Sequence, residues 1–277
     1  MTERVFLAAA VQLCSTEDVD ANVDATEAQV RRAAALGARL VVVPENFAFL
    51  RIESDTPQPT FDLDHPVVAR MRGLARQLGI ELCLGSIPEP SPVASKVYNT
   101  SVYIGPTGDV LATYRKLHLF DVDIPGQVTL RESDHMIPGS EPVLVTGTHC
   151  AVGLSICYDL RFPELYRRLS VDGARVLLCP AAFTLQTGKD HWIALLRARA
   201  IENQAYVIAA GQSGRHGGKR ESYGKSTIID PWGITLAIAK DGVGIALAEI
   251  DLDHQDRIRA GLPCAQHRHP LFWPDRR

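Results

Sequence analysis

The sequence predicts an α/β protein of two related halves, with two sheets packed face to face and helices outside them. Three observations carry this reading. Strand-like apolar runs alternate with helical ones along the whole chain. GARLVVVPENF, starting at Gly37, echoes GARVLLCPAAF, starting at Gly173, at a constant offset of 136 residues, so that Pro44 matches Pro180 and Phe47 matches Phe183. No linker rich in Pro, Gly or Ser divides the chain, so a single domain over 1–277 is expected.

Val5–Val11 reads as a first buried strand. Arg4 before it gives a faint look of a signal peptide, but the run is too short, Gln12 ends it, and no small-x-small cleavage site follows. Asp20–Leu36 reads as a helix stopped by Gly37, and Leu40–Val43 as a short β-branched strand. Pro66–Leu78 is helical and Ile80–Gly85 a strand. Val97–Ile104 and Val110–Tyr114 flank GPTGD, a hairpin signal. Residues 117–142 form a long polar segment, read as an uncovered loop of the kind that is usually functional. Strand Ala151–Ile156, helix Pro163–Ser170, strand Val176–Leu178, helix Trp192–Asn203 and strand Tyr206–Ala210 follow. Thr227–Ile229 and Ile234–Ile238 flank the DPWG turn, Ile245–Ile250 is a last strand and Asp251–Ala260 a last helix.

The apolar content of 46% supports a sizeable core, and a net charge of −3 gives no sign of a nucleic-acid partner. None of the six cysteines stands in a CxxC pair, which argues against a disulfide scaffold or a zinc knuckle. No apolar run approaches membrane-spanning length. The expectation is a soluble protein of a reducing compartment, the cytoplasm, with no metal or cofactor and no membrane or nucleic-acid partner.

The chemistry concentrates at strand ends, where sites in α/β sheets gather. Cys157 closes an apolar run and opens the polar stretch YDLR before a helix. A thiol at such an elbow is exposed, held in place by its strand, and favoured as thiolate by a helix N-terminus. Glu45 follows LVVVP, where a carboxylate pointing into a cleft would have a raised pKa and act as a base. Lys116, in YRKLHLF, can supply positive charge to a thiolate and an oxyanion. His118 and His191 are the histidines nearest in kind to a base, but neither context is as constrained as that of Cys157, so a Cys–His pair has no support.

Taken together, VVVPENF, YRKLHLF and SICYDLRFPE resemble the three motifs of the nitrilase superfamily of carbon–nitrogen hydrolases, over essentially the whole chain. The resemblance implies a four-layer α-β-β-α sandwich with an internal pseudo-two-fold repeat, a catalytic set of Glu45, Lys116 and Cys157, and assembly as a homodimer or larger homo-oligomer through helix packing. Tyr158-Asp159 stands where nitrilases proper have Trp-Glu, and HLFDVDIPGQ and RESDHMIPG are similar to the Nit amidase branch. In the second of these, Glu132 matches a further active-site glutamate. GRHGGKRESYGKS and DPWG look most like deaminated glutathione amidases. The implied activity is cofactor-free hydrolysis of a small carboxylate-bearing amide through a cysteine thioester. The alternatives are a nitrilase or N-carbamoyl amidase with the same residues, or an inactive binding protein of this fold.

For substrate binding the expected residues are Tyr158, through its backbone N–H, Phe183, and Arg161, four residues beyond the nucleophile and suited to a carboxylate unless it pairs with Asp159 or Glu164. Arg215, Lys219 and Arg220, with His216, form the chain's densest basic cluster on a stretch read as a flexible glycine-rich loop. Arg215 and Arg220 are the residues expected to meet a second, distant carboxylate.

Overall fold

A computed structural model describes residues 3–52, 56–124, 128–218 and 220–269. The first half runs β1 (Val5–Gln12), α1 (Val19–Ala35), β2 (Ala38–Val42), α2 (Pro66–Leu78), β3 (Glu81–Pro90), β4 (Val97–Ile104) and β5 (Val110–Arg115). A small hairpin follows, β6 (Asp121–Ile124) with β7 (Val128–Arg131), and then a 3-10 turn over Glu132–Asp134. The second half runs β8 (Leu144–Thr146), β9 (Ala151–Gly153), a 3-10 turn over Cys157–Arg161, α3 (Pro163–Val171), β10 (Val176–Leu178), α4 (Leu185–Asn203) and β11 (Tyr206–Ala209). It continues through a second small hairpin, β12 (Ser213–Gly217) with β13 (Arg220–Tyr223), to β14 (Thr227–Ile229), β15 (Thr235–Ile238), β16 (Gly244–Asp251) and α5 (Leu252–Gly261).

Two six-stranded sheets result, ordered β16-β1-β2-β3-β4-β5 and β15-β14-β11-β10-β9-β8. In each, three parallel strands are flanked by antiparallel ones: β1, β2 and β3 in the first, β9, β10 and β11 in the second. Thus β1-α1-β2-α2-β3 and β9-α3-β10-α4-β11 are the same unit used twice. The echo falls on matching places, since Gly37 and Gly173 end α1 and α3 with φ of 95° and 115° and lead into β2 and β10.

Side-chain alternation makes the layers. Along β1, Phe6, Ala8 and Ala10 join the core that includes the second sheet, whereas Ala9 and Val11 face the opposite way and pack with Val30 of α1 and Met71 of α2. On the far side Trp192 and Leu196 of α4 and Tyr166 of α3 close the second sheet. The product is the α-β-β-α sandwich with its pseudo-two-fold.

Four segments differ from the sequence reading. Residues 117–142 are not one uncovered loop: β6 pairs with β7, and Asp121 accepts from Ser133 N–H, which folds Glu132 back toward the sheet. Strand pairing ends at Gly153, because Ser155 donates to Leu178 O and the Ile156 N–H is taken by Asp159. Helix α4 starts at Leu185; its polar first turns hide the period, while Thr187 and Gly188 are buried there. A Cβ at Gly188 would lie 2.3 Å from that of Tyr223, so this turn takes only glycine. The basic stretch 214–225 is mostly a β-hairpin, and its Lys219 lies outside the described residues.

Candidate active site

Glu45 stands where the chain leaves β2. Pro44 ends the strand, and Asn46 turns the backbone at φ 57°. Gly85 permits the turn, since a Cβ there would meet the Pro44 carbonyl at 2.2 Å. The carboxylate is buried at 3% exposure. Its Oε1 accepts from Lys116 Nζ at 3.0 Å and Asn99 Nδ2 at 2.9 Å, and its Oε2 accepts from Ala182 N–H at 2.7 Å. Ala182 belongs to the echo, so the two repeat-related loops meet on this carboxylate.

Lys116 follows β5 directly and is equally buried. Its ammonium also donates to Glu132, at 3.0 and 2.9 Å. Glu132 is held in turn by Phe120 N–H and Asn99 Nδ2. One lysine thus lies between two carboxylates.

Cys157 is the hinge of the elbow. Its φ is 50°, a left-handed conformation that costs a non-glycine residue about 1–3 kcal/mol and is retained where surroundings over-determine it. Its N–H donates to Pro180 O at 2.9 Å, and the side chain is 8% exposed. The thiol lies beside Glu45 and within the field of Lys116.

Protonation follows from these contacts. Burial pushes the Cys157 thiol up and the Glu45 charge pushes it further, against the opposing Lys116 ammonium. Burial alone would lower Lys116, but Glu132, Glu45 and Cys157 together hold it well above its ordinary value. Glu45 corrects the sequence reading. Burial does push it up, yet the Lys116 charge, the Cys157 thiol and the Ala182 N–H outweigh that and hold it below the usual carboxylate range. The resting set is a neutral thiol, an ionised carboxylate able to accept its proton, and an ammonium.

Asp159, wholly buried, registers the elbow against β5. It accepts from Ile156 N–H, Tyr114 Oη and His118 N–H, and the His118 ring lies 2.7 Å away. His118 is therefore committed to Asp159 and stacked on Phe162, and His191 is exposed beside Arg161. Neither histidine serves Cys157. Arg199 completes the support by donating twice to Leu160 O. Asp159→Ala is expected to lower stability by about 3 kcal/mol or more in denaturant melts, because it strands several buried donors. A loss within about 0.5 kcal/mol would remove Asp159 from this role.

Around the thiol, Arg161 lies over the rings of Phe183 and Tyr158, 5.2 and 5.8 Å from their centroids. Among the described residues it forms no ion pair with Asp159 or Glu164; its Nη1 lies 3.4 Å from Nδ1 of the exposed His191, so no carboxylate neutralises the guanidinium. The β12–β13 hairpin bonds to the segment bearing Phe183 through Tyr223 N–H. Within it the basic cluster divides. His216 is buried between Ser15 O and Ser222 Oγ. The Arg215 side chain is 84% exposed and faces Glu221 at 3.8 Å. Arg220 turns inward, donates to Arg51 O, and lies within the field of Glu45 and Glu132. Asn99 and Asp159 were missed by sequence reasoning, as was the inward turn of Arg220. No group of three or more His, Cys, Asp or Glu among the described residues is disposed to hold a metal.

This arrangement can be set beside known proteins. The sequence matches the carbon-nitrogen hydrolase family over residues 7–260. The chain belongs to that family. It is 44% identical over 266 residues to a deaminated glutathione amidase of Synechocystis, covering 95% of this chain and 98% of that one. Yeast Nit3, of branch 10 of the nitrilase superfamily, superposes with a TM-score of 0.86 at 30% identity, over 97% of this chain and 98% of that chain. A variant of the Nesterenkonia sp. AN1 amidase, showing covalent addition of the acetamide moiety of fluoroacetamide at its active-site cysteine, superposes with a TM-score of 0.78 at 27% identity, over 95% and 98% of the two chains. The protein is a carbon–nitrogen hydrolase of the Nit amidase branch, an enzyme acting on C–N amide bonds, and most like deaminated glutathione amidases. No helix among the described residues is long and apolar enough to cross a membrane.

Proposed function

We propose that this amidase hydrolyses a small amide bearing a carboxylate, deaminated glutathione or a similar ω-amide, through a thioester on Cys157. The observation that carries the proposal is the thiol, buried carboxylate and ammonium meeting at one point. Glu45 takes the Cys157 proton as sulfur bonds to the carbonyl carbon. The oxyanion is met by the Lys116 ammonium and the Tyr158 N–H. Glu45 passes the proton to nitrogen, the C–N bond breaks, and the amine leaves. It then deprotonates a water whose oxygen attacks the thioester carbon, and sulfur leaves with the returned proton. Glu132 holds Lys116 throughout.

The guanidinium of Arg161, over Phe183 and without a carboxylate partner among the described residues, supports it as the anchor of the acyl-side carboxylate. Arg161→Lys is expected to raise KM for acidic amides about tenfold, through loss of the bidentate fork, while kcat changes little. An unchanged KM would return Arg161 to a packing role. The function itself is tested by amine or ammonia release from equal concentrations of a nitrile, a carbamoyl amino acid, a short ω-amide and deaminated glutathione. Turnover of the nitrile or carbamoyl compound alone would favour the alternative chemistries.

A cytoplasmic homo-oligomer belongs to the same reading. Self-association is supported by exposed Ile234, Leu236 and Ile238 on one face of the β14–β15 edge, with Trp232 and Ile201 beside them. Sedimentation of the purified chain gives the stoichiometry, and a monomer at all concentrations would reject it.

A further inference from the structure

Next to the site lies a cavity of about 350 Å³, in the size range of small-ligand pockets. It is lined by Arg51, Gln58, Thr60, Ser91, Lys96 and His135 among others, and by no carboxylate among the described residues. Arg51 and Lys96 give this lining two cations, a composition suited to an anion.

Three links join the cavity to the nucleophile. Its lining includes Val97 of β4, and Asn99, which holds Glu45 and Glu132, is two residues further along the same buried face. Two residues of strand span about 7 Å. Its wall includes Arg51, whose carbonyl holds the inward-turned Arg220. Its lining also includes Lys96, whose ammonium donates to Ser133 O, next to Glu132. Two polar atoms along this line await a partner. Arg51 Nε is buried and meets no acceptor among the described residues, with Glu17 its nearest opposite charge. Asn99 Oδ1 is buried and meets no donor.

We propose that this cavity is the leaving-group subsite and that Arg51 and Lys96 bind the carboxylate at the far end of a dipeptide-sized amine. The inference rests on the amidase reading above and deepens it. A cysteinylglycine leaving group, extended from the scissile nitrogen, reaches about 7 Å to its terminal carboxylate. That is comparable to the rise of the two strand residues from Asn99 to Val97 of the cavity lining. Arg161 takes the acyl-side carboxylate and the cavity takes the amine-side one, so the enzyme measures the separation of two negative charges. Arg215, exposed beside Glu221, has no part in this, and Arg220 bonds the carbonyl of Arg51.

The test compares 2-oxoglutaryl-cysteinylglycine with the same compound ending in glycinamide. The wild-type enzyme is expected to prefer the acid by about tenfold or more in kcat/KM, the factor carried by about 1.4 kcal/mol. In Arg51→Gln and in Lys96→Gln that preference should shrink toward about one, with hydrolysis of the glycinamide reporting that each variant is folded. Wild-type hydrolysis of both compounds at equal efficiency overturns the subsite and leaves the amidase reading standing. A preference undiminished in both variants does the same. Hydrolysis of a short ω-amide with neither tripeptide-like compound cleaved overturns the subsite together with the deaminated-glutathione reading.

Discussion

Replacing Cys157 by Ala is expected to abolish amide turnover, by about a millionfold in kcat, while the protein stays folded. The size of the effect follows from the arrangement. Sulfur is the nucleophile at the meeting point of Glu45 and Lys116, and both partners are committed otherwise, Glu45 as the proton acceptor paired with the Lys116 ammonium. The fold should survive because alanine keeps the Cβ and the Cys157 N–H bond to Pro180 O, and removes only a thiol that burial and Glu45 keep protonated. The pH profile of the wild-type enzyme carries the same logic. Glu45 is held low, so activity should persist into mildly acidic solution and fall only as that carboxylate protonates. Stopped-flow detection of amine release checks the variant, with circular dichroism as control. Folded Cys157→Ala that still turns over amide would end the thioester mechanism.

How much of this was legible beforehand depends on where each constraint lies. Cys157, Glu45 and Lys116 stood out because each is a reactive group where an apolar run ends, and the structure brings all three together. The two-sheet architecture was legible for a related reason, since the echo repeats a helix stop and a strand at one offset. Asn99 was not legible, because in VYNTSVYI it reads as an ordinary polar residue of an alternating strand. Only the fold shows that it bonds two carboxylates from distant loops. Asp159 was read as a neighbour of the nucleophile and a candidate partner for Arg161. Its true partners, Tyr114 and His118, lie 45 and 41 residues upstream. The basic stretch 214–225 misled because glycine density suggests looseness. Instead Gly214, Gly217 and Gly224 take positive φ around two paired strands, and the charges that looked like one cluster face different ways. The sign of the Glu45 shift failed likewise, because burial is visible in a pattern whereas an ammonium 71 residues away is not.

Lys116→Met is expected to be the second severe change, and it should act on stability as well as on rate. Removing the ammonium leaves Glu45 and Glu132 facing each other in a buried site, and breaking a buried pair in this way costs about 3–5 kcal/mol near neutral pH. Loss of the oxyanion's charge partner takes a further factor of about 10²–10³ from kcat. The pH dependence of stability should also change direction. In the wild type Glu45 is depressed, so its contribution is present above the unfolded carboxylate pKa and is lost as pH falls through the folded one. Lys116 is raised, so its contribution is full below the unfolded lysine pKa and is lost only as pH rises through the folded one. In the variant the Lys116 charge, the largest influence opposing burial at Glu45, is gone and Glu132 is left facing it, so the Glu45 pKa is expected to rise above the unfolded value. Its charge then destabilises the fold above that value, and protonation relieves it. The variant should therefore gain stability as pH falls from about 8 to about 5, a range over which this triad leaves the wild type unchanged. Denaturant melts at the two pH values decide the matter. A variant as stable as wild type at pH 8, or equally destabilised at both, would mean that these charges are not the buried, interdependent set described here.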